Sequence, residues 1–249
     1  AAIMTGEYPA RFRLTQWLPA GRWSRTNNRM KEGRYLGNLP LEEVTLAASL
    51  REAGYKTAFL GKWHLGTATY YFPEHQGFDV NIAGRDYGAP GSYFYPFEGS
   101  WKIPTTDKKL FKASPLSGKP GDYLIDRLAE EAEQFIRSQA DRPFFLMLSH
   151  YAVHAPLEGK PEKVARYAAV PSDQQQGKPA YAAMVESADE SVGRVLSTLK
   201  ELGLTERTLV IFASDNGGLV QATDNAPFRA GKGSNYEGGL RTPLIIAQP

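Results

Sequence analysis

The chain has 249 residues, with 29 Lys and Arg against 27 Asp and Glu, and its formal net charge is +2 at pH 7. Hydrophobic residues make up 42% and charged residues 22%, a globular composition that excludes a disordered or collagen-like chain. The balanced charge argues against binding to nucleic acid through a broad basic surface. No apolar run approaches ~18 residues, so the sequence predicts no membrane span. The absence of cysteine excludes disulfides and thiolate metal sites in these residues.

The predicted elements alternate between amphipathic helices and apolar strands. In chain order they are a helix over 40–53, a strand over 55–60, a helix over 122–138, a strand over 144–148, a helix over 179–202, and strands over 209–213 and 244–247. Pro40 is expected in the first turn of the first helix, and Asp122 is expected to be the N-cap of the second. Apolar strands that alternate with helices predict an α/β fold, in which helices cover both faces of a mostly parallel sheet.

The stretch 66–121 interrupts this alternation. It is rich in Gly, Pro, Tyr and Phe and has no clear period. A loop of that length inside a compact domain is usually functional or poorly ordered. A shorter polar stretch over 172–178 is predicted to be a surface loop.

Polar residues follow three of the predicted strands. Ligands of an open α/β sheet bind beyond the carboxyl ends of its strands, so these positions are candidates for a site. The residues at the three strand ends are Lys62 and His64, His150 and His154, and Asp215 and Asn216. Their convergence on one edge of the sheet is the main prediction drawn from the residues themselves.

Each of these side chains suits the binding of an oxyanion. Lys62 and His64 point to the same side of an extended segment, where they offer a fixed charge and a group that titrates near neutral pH. Asp215 and Asn216 offer hard oxygen ligands for Ca²⁺ or Mg²⁺, and the glycines that follow allow a sharp turn. A divalent cation with lysines and histidines is typical of a site for sulfate or phosphate.

Every one of these residues also has an ordinary structural interpretation. A lone lysine at a strand end is usually a solvated charge, a lone histidine is usually hydrogen-bonded within the fold, and Ser-Asp-Asn-Gly-Gly is usually a turn. His75 and His150 are assigned such structural roles. Joint placement at strand ends favours a functional interpretation for the others.

Five segments resemble the formylglycine-dependent sulfatases of the alkaline-phosphatase superfamily. They occur in the family's order over essentially the whole chain: AAIMTGEYP, GYKTAFLGKWHLG, FFLMLSHYAVHAP, TLVIFASDNGG and APFRAGKGSNYEGGLRTPLII. The resemblance implies an alkaline-phosphatase-like three-layer sandwich. It also implies a sulfuric ester hydrolase that is exported to the periplasm or the cell exterior.

The resemblance implies a role for each matched residue. Asp215 and Asn216 would be metal ligands, for Ca²⁺ in most relatives. Lys62 would bridge the sulfate and the formylglycine side chain, and His64 would take a proton from the formylglycine hydroxyl. His154 and Lys232 would contact the sulfate and the departing ester oxygen.

The Cys- or Ser-x-Pro-x-Arg motif that supplies formylglycine in the family does not occur in these residues. We therefore expect the formylglycine upstream of Ala1, and we expect residues 1–249 to be a partial catalytic domain, truncated at both ends. The upstream pair of metal-binding carboxylates and the C-terminal subdomain of the family would also lie outside it. Such a fragment is expected to show no turnover and to bind Ca²⁺ weakly.

Three functions are compatible with these observations. The first is hydrolysis of a sulfated carbohydrate or aryl sulfate, with Arg85 and Asp86 as possible hydroxyl contacts. In that case, aromatic residues of the 66–121 stretch would form a sugar-stacking wall or merely pack the loop down: Tyr87, Tyr93, Phe94, Tyr95 and Trp101. The alternatives are a phosphodiester or phosphonate hydrolase of the same superfamily, and a non-catalytic carbohydrate-binding homologue. The sequence does not indicate an oligomeric state.

Overall fold

A computed structural model describes residues 1–15, 34–66, 69–102, 109–112 and 116–248. The chain divides into two compact units, the first over Ala1–Pro156 and the second over Leu157–Pro249. No helix in the described ranges is both long and apolar enough to cross a membrane.

The first unit is built on three parallel strands. Its elements are α1 (Ala2–Thr5), α2 (Leu46–Glu52), β1 (Lys56–Gly61), β2 (Val80–Ile82), β3 (Gly99–Lys102), β4 (Lys109–Lys112), α3 (Leu124–Ser138) and β5 (Phe144–Ser149). Short 3₁₀ turns lie at Pro9–Phe12, Thr69–Tyr71 and Pro73–His75. The strand order is β2-β1-β5, and β1 pairs in parallel with both neighbours. The parallel sheet predicted from the sequence is therefore confirmed in this unit.

The 66–121 stretch contains regular structure that its composition concealed. β2 lies within it and pairs with β1, and β3 pairs with β4 in an antiparallel hairpin. β2 has three residues and β3 and β4 have four each, so a periodic pattern has little length in which to show itself.

Two predicted helix starts are wrong. α2 begins at Leu46 rather than at residue 40, because Thr45 is its N-cap and accepts a hydrogen bond from the backbone N–H of Ala48 at 3.0 Å. α3 begins after Tyr123, so Asp122 does not cap it. The Asp122 carboxylate instead accepts the backbone N–H of Lys119 at 2.9 Å, within the preceding turn.

An aromatic cluster forms the core on one side of β1. Phe59 and Trp63 meet edge to face with their ring centroids 5.1 Å apart, and Phe78 packs 5.3 Å from Phe59. These three side chains are at most 4% exposed. Edge-to-face packing of buried rings adds to the burial of apolar area, so this cluster fixes the position of the chain that follows β1.

The second unit contains one long helix, two shorter helices and a pair of strands. Its elements are α4 (Pro161–Ala168), α5 (Pro179–Glu201), β6 (Val210–Ala213), α6 (Glu237–Leu240) and β7 (Leu244–Ala247), with 3₁₀ turns at Ser172–Gln174 and Thr205–Arg207. The buried ammonium of Lys163 on α4 bonds the Ser187 hydroxyl at 3.1 Å and the Glu190 carboxylate on α5. β6 and β7 pair antiparallel, so these two predicted strands form but do not pair in parallel with each other.

Candidate active site

Lys62 lies at the carboxyl end of β1, where two strands approach closely. Its backbone N–H donates to the carbonyl of Ser149 at 2.7 Å, and the Ser149 hydroxyl donates to the carbonyl of Lys62 at 2.8 Å. Gly61 has φ +102°, and a Cβ built there would overlap the Ser149 carbonyl. Glycine at this position therefore permits the approach that holds Lys62 at the sheet edge.

His64 is placed by the residues around it. Trp63 lies between Lys62 and His64 in the chain and is 4% exposed. Its indole Nε1 donates to the carbonyl of Tyr71 at 2.8 Å. The backbone N–H of His64 donates to the carbonyl of Arg85 at 3.0 Å. His64 has φ +55°, in the left-handed region, so the extended geometry assumed for Lys62 and His64 does not hold at this residue.

Gly88 lies against the face of the His64 imidazole. A Cβ built at Gly88 would overlap ring atoms Nδ1 and Cε1 and would lie 3.0 Å from Cγ. The missing side chain therefore leaves the space that the ring occupies. Nothing in the local sequence marks Gly88, because its partner is 24 positions away and meets it only through the fold.

His154 lies on the loop that follows β5. Its Nδ1 is 2.9 Å from the carbonyl of Ala155, and because a carbonyl only accepts, Nδ1 must carry a proton. The carbonyl of His154 accepts the hydroxyl of Tyr93 at 2.9 Å. Tyr93 is fully buried, so this hydrogen bond ties the loop that carries His154 to the 66–121 stretch.

The aromatic side chains of the 66–121 stretch mostly pack within the fold. Tyr87 is 9% exposed and stacks on Tyr151 with centroids 6.3 Å apart, while Tyr95 is 38% exposed. Burial raises the pKa of Tyr87 to about 12. The buried Tyr87 and Tyr93 do not form an open sugar-stacking wall, and the side chain of Trp101 lies outside the described residues.

Arg85 and Asp86 follow β2 at the same edge of the sheet. Both are half-buried, and the Arg85 guanidinium lies 5.2 Å from the Phe72 ring centroid. Arg85 also lines a cavity of about 220 Å³ with Asn81 and Glu131. These placements are compatible with contacts to a ligand, and the substrate-binding role of Arg85 and Asp86 stays a prediction.

The two histidines assigned structural roles differ in environment. Desolvation lowers the pKa of His150 to about 4, so its ring is neutral at pH 7. His75 is exposed on a 3₁₀ turn, with its ring centroid 6.0 Å from that of Tyr70. The environment of His150 is therefore not that of a proton-transfer group working near neutral pH.

In the second unit, Asp215 and Asn216 form the turn after β6. The Ser214 hydroxyl donates to the carbonyl of Asn216 at 2.9 Å, and the Asn216 amide donates to the carbonyl of Gly217 at 3.1 Å. The Asp215 side chain is exposed. The turn thus carries a carboxylate and an amide oxygen on consecutive residues.

Glycines bring Lys232 to this turn. The backbone N–H of Lys232 donates to the carbonyl of Gly218 at 2.9 Å, and Gly217 donates to the carbonyl of Gly239 at 3.1 Å. A Cβ at Gly217 would overlap the carbonyl of Gly238, and one at Gly231 would overlap that of Gly218. The Ser-Asp-Asn-Gly-Gly, Gly-Lys-Gly and Glu-Gly-Gly segments therefore interlock through backbone contacts that side chains would block.

Asn225 is a residue that sequence reasoning missed. Its side-chain oxygen accepts the N–H of Gly218 at 3.0 Å, and its side-chain nitrogen donates to the carbonyl of Gly218 at 2.9 Å. This double contact holds the backbone of Gly218, whose carbonyl also accepts the N–H of Lys232. An asparagine before Ala-Pro suggests only a turn in the sequence, so no local signal pointed to Asn225.

The Asp215–Asn216 turn fits a hard cation as part of a ligand shell. Both residues offer oxygen donors, which Ca²⁺ and Mg²⁺ prefer. Among the residues that the structure describes, no group of three or more His, Asp or Glu could hold a metal ion. Since Ca²⁺ takes ~6–8 oxygen ligands, this turn would supply two of them.

The predicted site residues fall into two groups, one in each unit. Lys62, His64, Arg85 and Asp86 follow adjacent parallel strands of the first unit, and His154 lies on the loop after the third. Asp215, Asn216 and Lys232 are joined through Gly218 in the second. Polar residues at the carboxyl ends of parallel strands place the protein in the α/β class, and the binding of an oxyanion by these residues stays a prediction.

Comparison with known proteins identifies the family. The chain matches the Sulfatase family model over residues 1–249 and belongs to that family. It is 33% identical to N-acetylgalactosamine-6-sulfatase of Canis lupus familiaris, over 100% of this chain and 47% of that protein. It is 31% identical to steryl-sulfatase of Mus musculus, over 100% of this chain and 49% of that protein. The chain thus spans about half the length of these curated relatives.

Solved structures agree with this assignment. The structure of Ps i-CgsB in complex with k-i-k-neocarrahexaose superposes with a TM-score of 0.75 at 29% identity, covering 100% of this chain and 54% of that one. The PsFucS1 sulfatase from Pseudoalteromonas sp. gives a TM-score of 0.70 at 26% identity, covering 100% and 51%. The alkaline-phosphatase-like α/β fold expected from the resemblance is confirmed.

Proposed function

We propose that this protein hydrolyses sulfate esters and that its substrates are sulfated carbohydrates. The observation that carries the proposal is the anchoring of Lys62 and His64 at the carboxyl edge of a parallel sheet in a member of the sulfatase family. Cations at that edge would neutralise a sulfate group, and an imidazole beside them would move a proton.

The residues of this chain would divide the chemistry between them. Lys62 and Lys232 would bind sulfate oxygens as fixed positive charges. His64 would take a proton from the formylglycine hydroxyl, and this proton transfer would drive the release of sulfate. His154, with Nδ1 directed to the Ala155 carbonyl, would act as the imidazolium and donate its Nε2 proton to the ester oxygen that departs.

The proposal also includes a divalent cation and a formylglycine. Asp215 and Asn216 would hold Ca²⁺, or Mg²⁺ in its place, and the ion would draw negative charge from the sulfate. A formylglycine contributed from upstream of Ala1 would supply the nucleophilic hydroxyl. Since the turn offers two oxygen ligands, the 249-residue chain alone is expected to bind Ca²⁺ weakly and to show no turnover.

The substrate class is supported by the relatives. N-acetylgalactosamine-6-sulfatase is named for a sulfated sugar, and Ps i-CgsB was solved in complex with k-i-k-neocarrahexaose. Steryl-sulfatase is named for a different class, so an aryl sulfate is the appropriate second substrate to test. The periplasmic or extracellular location rests on the family resemblance alone.

The test uses the full-length protein with 4-nitrophenyl sulfate and sulfated galactosamine. Lys62→Ala is expected to reduce kcat/KM at least ~10³-fold, because it removes charge stabilisation at the reacting group. Lys56→Ala is the matched control, since Lys56 lies at the opposite end of β1 and pairs with Asp79 at 3.6 Å. The kcat/KM of Lys56→Ala should stay within threefold of the wild-type value.

Three outcomes would contradict the proposal. Turnover of bis-4-nitrophenyl phosphate but of neither sulfate would favour the phosphodiester hydrolase. Binding of sulfated sugar without turnover of any ester would favour the non-catalytic homologue. Equal losses in the two lysine variants would remove Lys62 from the site.

A further inference from the structure

Two loops of the second unit line an open surface cavity of about 500 Å³. Residues 175–178 form one wall and residues 220–225 form the other, with Phe228 and Ala230 completing the lining. This volume lies within the range of ~300–1,000 Å³ that is typical of small-molecule sites. None of the roles assigned above uses the cavity.

Backbone hydrogen bonds fix the distance between the two walls. Lys178 donates its backbone N–H to the carbonyl of Ala222 at 2.8 Å, and Asp224 donates to the carbonyl of Gln176 at 2.7 Å. Ala222 is 3% exposed, so the contact between the loops is packed as well as bonded. A cavity held in this way loses little conformational entropy when a ligand enters.

The lining has the chemistry of a carbohydrate site. Gln176 and Gln221 carry amides that can donate to and accept from sugar hydroxyls. The ring of Phe228 is 38% exposed and offers an apolar surface to the C–H face of a pyranose. Lys178 adds a positive charge on one wall, which suits an anionic substituent, while the Asp224 carboxylate on the other wall accepts the backbone N–H of Ala226 at 2.9 Å.

The cavity adjoins the catalytic group of the same unit. Asn225 belongs to its wall, and the Asn225 amide binds both backbone atoms of Gly218. The carbonyl of Gly218 also accepts the N–H of Lys232. A single peptide group therefore separates the wall of the cavity from the residue expected to contact the sulfate ester.

We propose that this cavity is a subsite for a second sugar ring, next to the ring whose sulfate is removed. The ligand class is a sulfated oligosaccharide, with hydroxyls bound by Gln176 and Gln221 and an anionic substituent bound by Lys178. This inference rests on the proposed function, because it extends the same substrate by one ring.

The test compares a long and a short substrate on the full-length protein. The long substrate is a hexasaccharide, either from carrageenan or built with 6-sulfated N-acetylgalactosamine, whichever wild type cleaves. Phe228→Ala is expected to lower kcat/KM roughly 10-fold on the hexasaccharide and less than twofold on 4-nitrophenyl sulfate. The small ester is too short to reach the cavity.

A second variant and a control separate recognition from folding. Phe228 also packs 5.0 Å from the Arg241 guanidinium, so Gln221→Ala is included as a variant that leaves that contact intact. It should lower hexasaccharide kcat/KM roughly fivefold, the value of about one hydrogen bond. Gln174→Ala, an exposed glutamine next to the cavity but outside its lining, should change neither substrate.

Failure of the subsite is distinct from failure of the proposed function. If wild type cleaves both substrates and all three variants behave alike on them, the subsite is wrong and the function stands. If wild type cleaves neither substrate, amide chemical shifts of the same protein, titrated separately with each of the two hexasaccharides, decide. Shifts at Gln176 and Gln221 would support the subsite, and unchanged shifts there would overturn it.

Discussion

In the first unit, the segment that carries Lys62 and His64 is anchored by a buried indole. In the second, the segment that carries Asp215 and Asn216 is anchored by glycines. Phe59 on β1 is 1% exposed and Trp63 is 4% exposed, so apolar burial can position the first group. The second group is held by close backbone contacts at Gly217 and Gly231 and by the hydrogen bonds of Asn225 to Gly218.

The two groups of site residues are therefore positioned by different interactions, one by aromatic packing and the other by backbone contacts. Aromatic packing is tolerant of small changes, because neighbouring side chains can adjust. Backbone-to-backbone contact is intolerant, because a carbonyl fixed in a turn cannot move away from a new Cβ. Glycine substitutions are therefore the sharpest way to disturb the second group.

The largest effect is expected for Gly217→Ala. The added methyl would overlap the carbonyl of Gly238, so the Asp215–Asn216 turn must separate from α6. We expect a loss of about 3 kcal/mol in the free energy of unfolding, measured with denaturant on the full-length protein. Gly193→Ala is the control, since a Cβ there meets no atom within 4 Å and should be neutral or stabilising. Equal stability in the two variants would contradict the interlocking model.

Gly88→Ala tests the positioning of His64 in the first unit. The methyl would displace the imidazole, and we expect kcat/KM to fall about 100-fold, with a change in the pH profile of the remaining activity. Gly91→Ala lies in the same loop but would collide with the backbone of Glu98 and Gly99 instead. Gly91→Ala should lower stability but keep the pH profile of the wild-type activity. The same change of pH profile in both variants would instead show a general effect of disturbing the loop.

The pH dependence of stability tests His150. Burial lowers the pKa of His150 in the folded chain to about 4, below the ordinary histidine value of about 6.5, so the unfolded chain binds more protons between these two values. The free energy of unfolding should therefore fall by roughly 2 kcal/mol from pH 6.5 to 4.5. His150→Asn should flatten this part of the curve in chemical denaturation. An unchanged slope would mean that other groups titrate there.

The smallest effect is expected for Tyr93→Phe. The variant keeps the buried ring and removes the hydroxyl that donates to the carbonyl of His154. Loss of one hydrogen bond of about 1 kcal/mol should lower kcat/KM roughly fivefold through the His154 loop. Tyr95→Phe is the control, because Tyr95 is 38% exposed on the same stretch and should be silent. A silent Tyr93→Phe would show that the loop is held by packing alone.

Sequence patterns were sufficient where an element is long and regular. The strand at 55–60, the helix after residue 122 and the helix from Pro179 were predicted within one or two residues of β1, α3 and α5. The two helices have a clear apolar period, the strand contains a short apolar run, and each element has a Gly or Pro near one end. The start of α2 was missed because Thr45 is a better N-cap than the turn at Pro40, and its hydroxyl also binds the distant carbonyl of Gln76.

By itself, the sequence determined the α/β class, the candidate residues at the strand ends and the likeness to sulfatases, because periodicity and motif order are local properties. Tertiary structure alone decided the left-handed backbone of His64, the space that Gly88 leaves, the clamp by Asn225 on Gly218 and the burial of Tyr93. Each of these depends on a partner far away in the chain. Such contacts form only when the fold closes, and no local pattern of residues encodes them.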